Sequence, residues 1–132
     1  MLTLEDFGWD SVREWLDDAG IAPIYSDFGW GELVSAIALR VRMGGMTVDQ
    51  GLNAIAEATT LTATWPMAPC TSDDLANGAR FVAMFDLKLR FPDAIHLAMA
   101  RRLKCRLVTA DRRQAAAAVA LGILTFNPHE EP

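Results

Sequence analysis

Phe91-Pro92-Asp93-Ala94-Ile95-His96-Leu97-Ala98-Met99-Ala100 is followed shortly by Leu107-Val108-Thr109-Ala110-Asp111-Arg112-Arg113. An Asp opens an apolar helix, and a short apolar strand then ends in Thr-Ala-Asp before another helix begins. That succession places both carboxylates at one edge of a parallel sheet, the edge where open α/β folds build their sites. Clustered carboxylates have one common chemical use, which is holding a hard divalent cation.

The rest of the chain fits around this stretch. The motif helix, expected over 93–103, is apolar on nearly every side (Ala94, Ile95, Leu97, Ala98, Met99, Ala100, Leu103) and so belongs in the interior. A strand over 107–109, an alanine-rich helix over 112–121 closed by Gly122, and a last strand over 123–126 follow it. Upstream, Val12, Trp15, Leu16 and Ala19 share one stripe of a helix over 10–19 that Gly20 stops, and 21–25 reads as a strand. A long helix starts at Asp27 or Gly31 and runs to Met43, ended by Gly44-Gly45. Thr47 with Gln50 three residues on has the spacing of a capping box and opens a helix to about Thr60. Pro66 and Pro69 limit 62–69 to a connector with at most a short edge strand. Thr71 or Ser72 caps the next helix, with Asp73 and Asp74 in its first turn, reaching about Asp86. Helices alternating with short apolar strands give the βαβ rhythm of a parallel sheet between helical layers.

The length of 132 residues suits one domain, 1–132, with a core of its own. With 52% hydrophobic and 22% charged residues, the composition is globular rather than disordered. The longest apolar runs fall short of the ~18 residues that span a bilayer, and the acidic start (Glu5, Asp6, Asp10) is the opposite of a signal peptide's basic flank. A cytoplasmic protein with no membrane partner is expected. Cys70 and Cys105 have neither a disulfide framework's density nor a zinc site's pairing, so both are expected reduced and buried.

The net charge of −5 excludes a general nucleic-acid coat, yet it averages over a polar chain. Residues 1–32 carry eight acids against Arg13 alone, whereas residues 80–113 carry nine of the twelve basic side chains against three acids. A basic surface beside an acidic pocket suits a phosphate-bearing substrate, and a solvated helix face explains the same charges without one.

Each acid also has an ordinary explanation. Asp93 and Asp111 sit where helix N-termini favour an acid, Glu32 suits an exposed helix, His96 suits a satisfied core position, and Thr109 is a β-branched strand residue. As a set they say more. Glu32 begins a helix after one strand, Asp111 follows another, and Asp93 opens the helix feeding that second strand, so a doubly wound sheet brings the three to one crevice. Mg²⁺ or Mn²⁺ would relieve their mutual repulsion there, activate a water and brace a phosphodiester oxygen for in-line attack.

Ser26-Asp27 with Gly31-Glu32-Leu33, Asp93-Ala94-Ile95-His96-Leu97-Ala98 and Val108-Thr109-Ala110-Asp111-Arg112-Arg113 together resemble the PIN-domain ribonucleases, and within them the VapC-type toxins of toxin–antitoxin pairs. The resemblance runs from about residue 10 to residue 126. It implies a three-layer α/β/α fold with a short parallel sheet, and Glu32, Asp93 and Asp111 as acidic metal-site residues with Thr109 in support. It further implies a Mg²⁺- or Mn²⁺-dependent endoribonuclease, usually a homodimer, restrained by a small VapB-like antitoxin. Arg112 and Arg113 would then contact RNA phosphate.

The family's first strand, which ends in an Asp ligand, has no counterpart here, because 1–7 runs almost directly into the helix at Asp10. Two expectations follow: that the full product has roughly ten to fifteen further residues upstream, since a sheet without its central strand leaves backbone groups unpaired, or that Leu2–Leu4 form a stunted strand with Glu5 or Asp6 as the replacement acid. A domain that has lost that acid would be a module that binds RNA or protein without cutting.

Overall fold

The computed structural model describes residues 9–127, with side chains from Glu14 onward. The expected stunted strand at Leu2–Leu4 and the substitute acids Glu5 and Asp6 lie outside the described residues. The fold is α/β, with six α-helices and four two-residue strands paired in parallel among the described residues. The backbone divides into two compact units that meet in sequence between Ala68 and Pro69.

The first unit begins with α1 (Trp9–Ala19), ended by Gly20 at φ +63°, with the Ile21 N–H closing on the Leu16 carbonyl at 3.2 Å. Next come β1 (Tyr25–Ser26) and α2 (Asp27–Arg42). Of the two possible starts for α2, the earlier is the observed one, because the Ser26 hydroxyl accepts from the Gly29 N–H at 2.8 Å and caps the helix there. Thr47 and Gln50 form the expected capping box at the head of α3 (Val48–Thr62). β2 (Met67–Ala68) pairs with β1, Tyr25 opposite Met67 and Ser26 opposite Ala68. The strand expected over 21–25 shrinks to two residues, and prolines account for it. Pro23 has no N–H to give a ladder, and Pro66 contributes only its carbonyl, which accepts from Tyr25 at 3.1 Å. Leu33, Ile37 and Ala58 form this unit's core between α2 and α3, with Trp30, Met46, Ala54 and Ile55 packed on it.

The second unit holds α4 (Ser72–Ala83), a single 3-10 turn over Phe85–Leu87, α5 (Phe91–Leu103), β3 (Leu107–Val108), α6 (Arg112–Ala120) and β4 (Thr125–Phe126). α4 stops at Ala83, short of Asp86, and the 3-10 turn takes the remaining residues. β3 and β4 pair in parallel, Leu107 opposite Thr125 and Val108 opposite Phe126, and α6 supplies the crossover that parallel pairing requires. The described strands thus form two separate pairs, β1 with β2 and β3 with β4.

α5 is the interior element that its apolar sequence predicts. Every residue from Ala94 to Ala100 is at most 2% exposed, His96 included. Burying side chains of the size of Ile95, Leu97 and Met99 is worth about 1.5–3 kcal/mol each. α4 approaches this helix closely at Gly78, where an added Cβ would stand 3.3 Å from Ile95 Cγ1 and 3.4 Å from the Ile95 nitrogen.

An ion pair fastens the same two helices. The Asp74 side chain is fully buried and accepts from Arg102 Nε and Nη2, both at 2.9 Å, and from the Thr71 N–H at 2.9 Å. Arg102 Nη2 also donates to the Pro69 carbonyl at 3.0 Å. Burial pushes the Asp74 carboxyl up, but the bonds from Arg102 and Thr71 together outweigh it and hold the group below its ordinary value. Cys70 and Cys105 are reduced and only half-buried, so the expected full burial does not hold.

Candidate active site

The two motif acids meet in the second unit. Asp93 and Asp111 line one open cleft of about 520 Å³ together with Lys88, Arg90, Arg112 and Arg113. Its lining is four cations to two carboxylates.

Local structure explains how each side chain arrives. Asp93 is the third residue of α5. Arg90 holds the N-cap position without a side-chain cap bond, so this helix start does not use Asp93 as its cap. Pro92 fits the first turn because its missing N–H would have no helical partner there. The Asp93 side chain is about a quarter exposed, and Arg90 Nε stands 3.6 Å from its Oδ2.

Asp111 does cap its helix. Its Oδ1 accepts from the N–H groups of Arg113 at 2.9 Å and Gln114 at 3.2 Å. Both bonds land on one oxygen, which leaves the second for a ligand. Thr109 is buried and holds this turn from beneath: its N–H donates to the Phe126 carbonyl of β4 at 2.9 Å, and its Oγ1 accepts from the Asp111 N–H at 3.0 Å. The β-branched strand residue is therefore also the support for the acid two positions on.

Lys88 reaches the rim from a left-handed backbone, φ +54°, at the end of the 3-10 turn. Lys104 has the same conformation, φ +53°, at the end of α5, so it marks the end of a helical turn rather than a site. Lys88 and Arg90 belonged to the basic run of the sequence but to no motif, and only the turn at 85–90 brings them beside Asp93.

The remaining basic residues divide. Arg102 is committed to Asp74, Arg101 lies over the Phe81 ring at 5.9 Å, and Arg106 lies over the Phe126 ring at 4.4 Å. The basic run is thus partly a cleft rim and partly structural. Its acidic counterpart Glu32 stands in the first two turns of α2, in the other unit, half-buried. His96 is interior and does not line the cleft.

Among the described residues, no group of three or more His, Cys, Asp or Glu side chains is placed to hold a metal ion. Two carboxylates in an open cleft still suit one kind of ion. Mg²⁺ binds through one or two carboxylates and takes its other oxygens from water and substrate phosphate. Asp93 and Asp111 fit that donor set, and four surrounding cations favour a phosphate arriving as the partner.

A family model described as PIN domain matches residues 1–120. A search of curated proteins returned no match. Among the described residues, no helix is long and apolar enough to cross a membrane.

Proposed function

The chain belongs to the PIN domain family, a family generally of nucleases that use divalent metals, and we propose that it is a metal-dependent endoribonuclease, the VapC-type toxin of a type II toxin–antitoxin pair. The observation that carries this reading is the cleft in which Asp93 and Asp111 share a lining with Lys88, Arg90, Arg112 and Arg113. Asp93 and Asp111 would hold Mg²⁺ or Mn²⁺, and Thr109 keeps Asp111 in place through its backbone N–H. When bound, such an ion supplies an activated water and neutralises charge on the phosphate under attack. Arg112 and Arg113 leave the first turn of α6 on the cleft side and bind RNA phosphate, while Lys88 and Arg90 do the same from the α5 side. The protein works in the cytoplasm as a homodimer, and a small VapB-like antitoxin restrains it.

The test is cleavage of an RNA mixture by the purified chain with Mn²⁺, with Mg²⁺ and with chelator, alongside growth of cells expressing it. Metal-dependent cutting and growth arrest support the proposal; RNA left intact under every metal condition defeats it. A second reading, a module that binds RNA without cutting, draws on the absence of a third acid beside Asp93 and Asp111 among the described residues. Retention of labelled RNA without cleavage, together with very weak Mn²⁺ binding, is its signature.

A further inference from the structure

Gln114 is an unexpected residue for its place. It is 2% exposed in a helix whose other buried residues are Ala117 and Ala118, and a buried amide costs desolvation that an alanine would avoid. Its hydrogen bonds explain it. The Gln114 N–H donates to Asp111 Oδ1 at 3.2 Å, and its side-chain Nε2 donates to the main-chain carbonyl of Asp93 at 3.2 Å. One residue is therefore bonded to both cleft aspartates, and through it the start of α6 is tied to the start of α5.

We propose that Gln114 is a positioning residue that fixes the separation of Asp93 and Asp111 and so sets the affinity of the cleft for a divalent ion. The inference rests on the nuclease reading of that cleft. Gln114 itself is no ligand: it is buried and does not line the cleft, and its effect reaches the ion only through where the two carboxylates stand. Groups that orient metal ligands in this indirect way typically change affinity or activity by about 10–100-fold when removed.

The experiment titrates Mn²⁺ alone into the full chain by calorimetry and measures kcat and KM on RNA for the parent and for Gln114→Met, which keeps the length of the side chain and loses the donor. Mn²⁺ affinity is expected to fall by about 10-fold or more, and kcat with it, while KM stays within about twofold. Gln114→Asn serves if the Met variant does not fold, because its amide is one methylene too short to reach the Asp93 carbonyl; the same losses are expected. Ala118→Gly, in the same helix but bonded to neither aspartate, lowers the melting temperature without changing Mn²⁺ affinity or kcat.

Unchanged Mn²⁺ affinity and kcat in a folded Gln114 variant overturn the positioning role and leave the nuclease reading standing. Equal losses in Ala118→Gly overturn it as well, since they reduce the effect to general destabilisation. A parent chain that neither binds Mn²⁺ nor cuts RNA overturns the nuclease reading and this inference together, and that outcome is visible before any variant is measured.

Discussion

Asp111 carries two roles that substitution can separate. Its Oδ1 caps α6 through Arg113 and Gln114, and its carboxylate lines the cleft. Asp111→Asn keeps an acceptor oxygen in the same place, and Asn ranks with Asp as an N-cap, so the cap survives. What disappears is the negative charge at a helix N-terminus, worth about 0.3–1 kcal/mol, at the lower end for an exposed side chain. Asp111→Ala loses the cap bonds too, a cost of about 1 kcal/mol more. For a chain of this size 1 kcal/mol corresponds to roughly 3–5 °C in Tm. Thermal denaturation should therefore place the Asn variant within about 3 °C of the parent and the Ala variant roughly 4–7 °C below it. Cleavage orders them differently, because removing a preorganised charge from a reacting centre costs on the order of 10²-fold or more. Both variants are expected to lose cutting to that extent, the stable one as fully as the unstable one. An Asn variant that cuts RNA within threefold of the parent would reduce Asp111 to a cap.

Three further outcomes follow from the same geometry. Asp74→Asn breaks a buried ion pair whose partner Arg102 is about a third exposed, so the loss should sit at the low end of the usual range, about 3 kcal/mol, measured by chemical denaturation. Because the folded Asp74 pKa lies below the unfolded value of ~3.9, its contribution is present above that pH and lost as pH falls through the lowered value. The gap in Tm between parent and variant should thus hold steady from neutral pH to about 5 and close in stronger acid. Replacing Arg112 and Arg113 by Gln should flatten the salt dependence of RNA binding by about 0.7 per lost phosphate contact in a plot of log affinity against log salt, while Mn²⁺ binding is retained, since only cations leave the cleft. Gly78→Val has no room for its methyls against Ile95 and should cost about 1–3 kcal/mol or more by denaturant melt.

Features written in local sequence were legible, and features that depend on distant partners were not. The capping box of Thr47 and Gln50, the cap at Thr71, and the burial of α5 from Ala94 to Ala100 all follow from residues within a turn or two of each other. The first strand was overestimated because apolar character at Ile21 and Ile24 masked the missing donor at Pro23. Asp93 and Asp111 could be placed together because each opens a helix beside the same short strand, and the cleft does contain both. Nothing local marks Arg102 as the partner of Asp74, twenty-eight positions away, so in sequence it is indistinguishable from the arginines that line the cleft. Gln114 was equally silent. A glutamine among alanines has no pattern, and its role exists only where α6 meets the start of α5.

Whether the carboxylates of this cleft perform metal-dependent RNA cleavage is decided by Asp93→Ala in the full chain, prepared free of other nucleases and assayed with Mn²⁺ beside the parent. Asp93 is not the N-cap residue of its helix, and its removal costs the first-turn charge and the ion pair with the largely exposed Arg90. A folded protein that no longer cuts RNA and no longer arrests growth is expected; cleavage at the parent's rate would show that these carboxylates take no part in it.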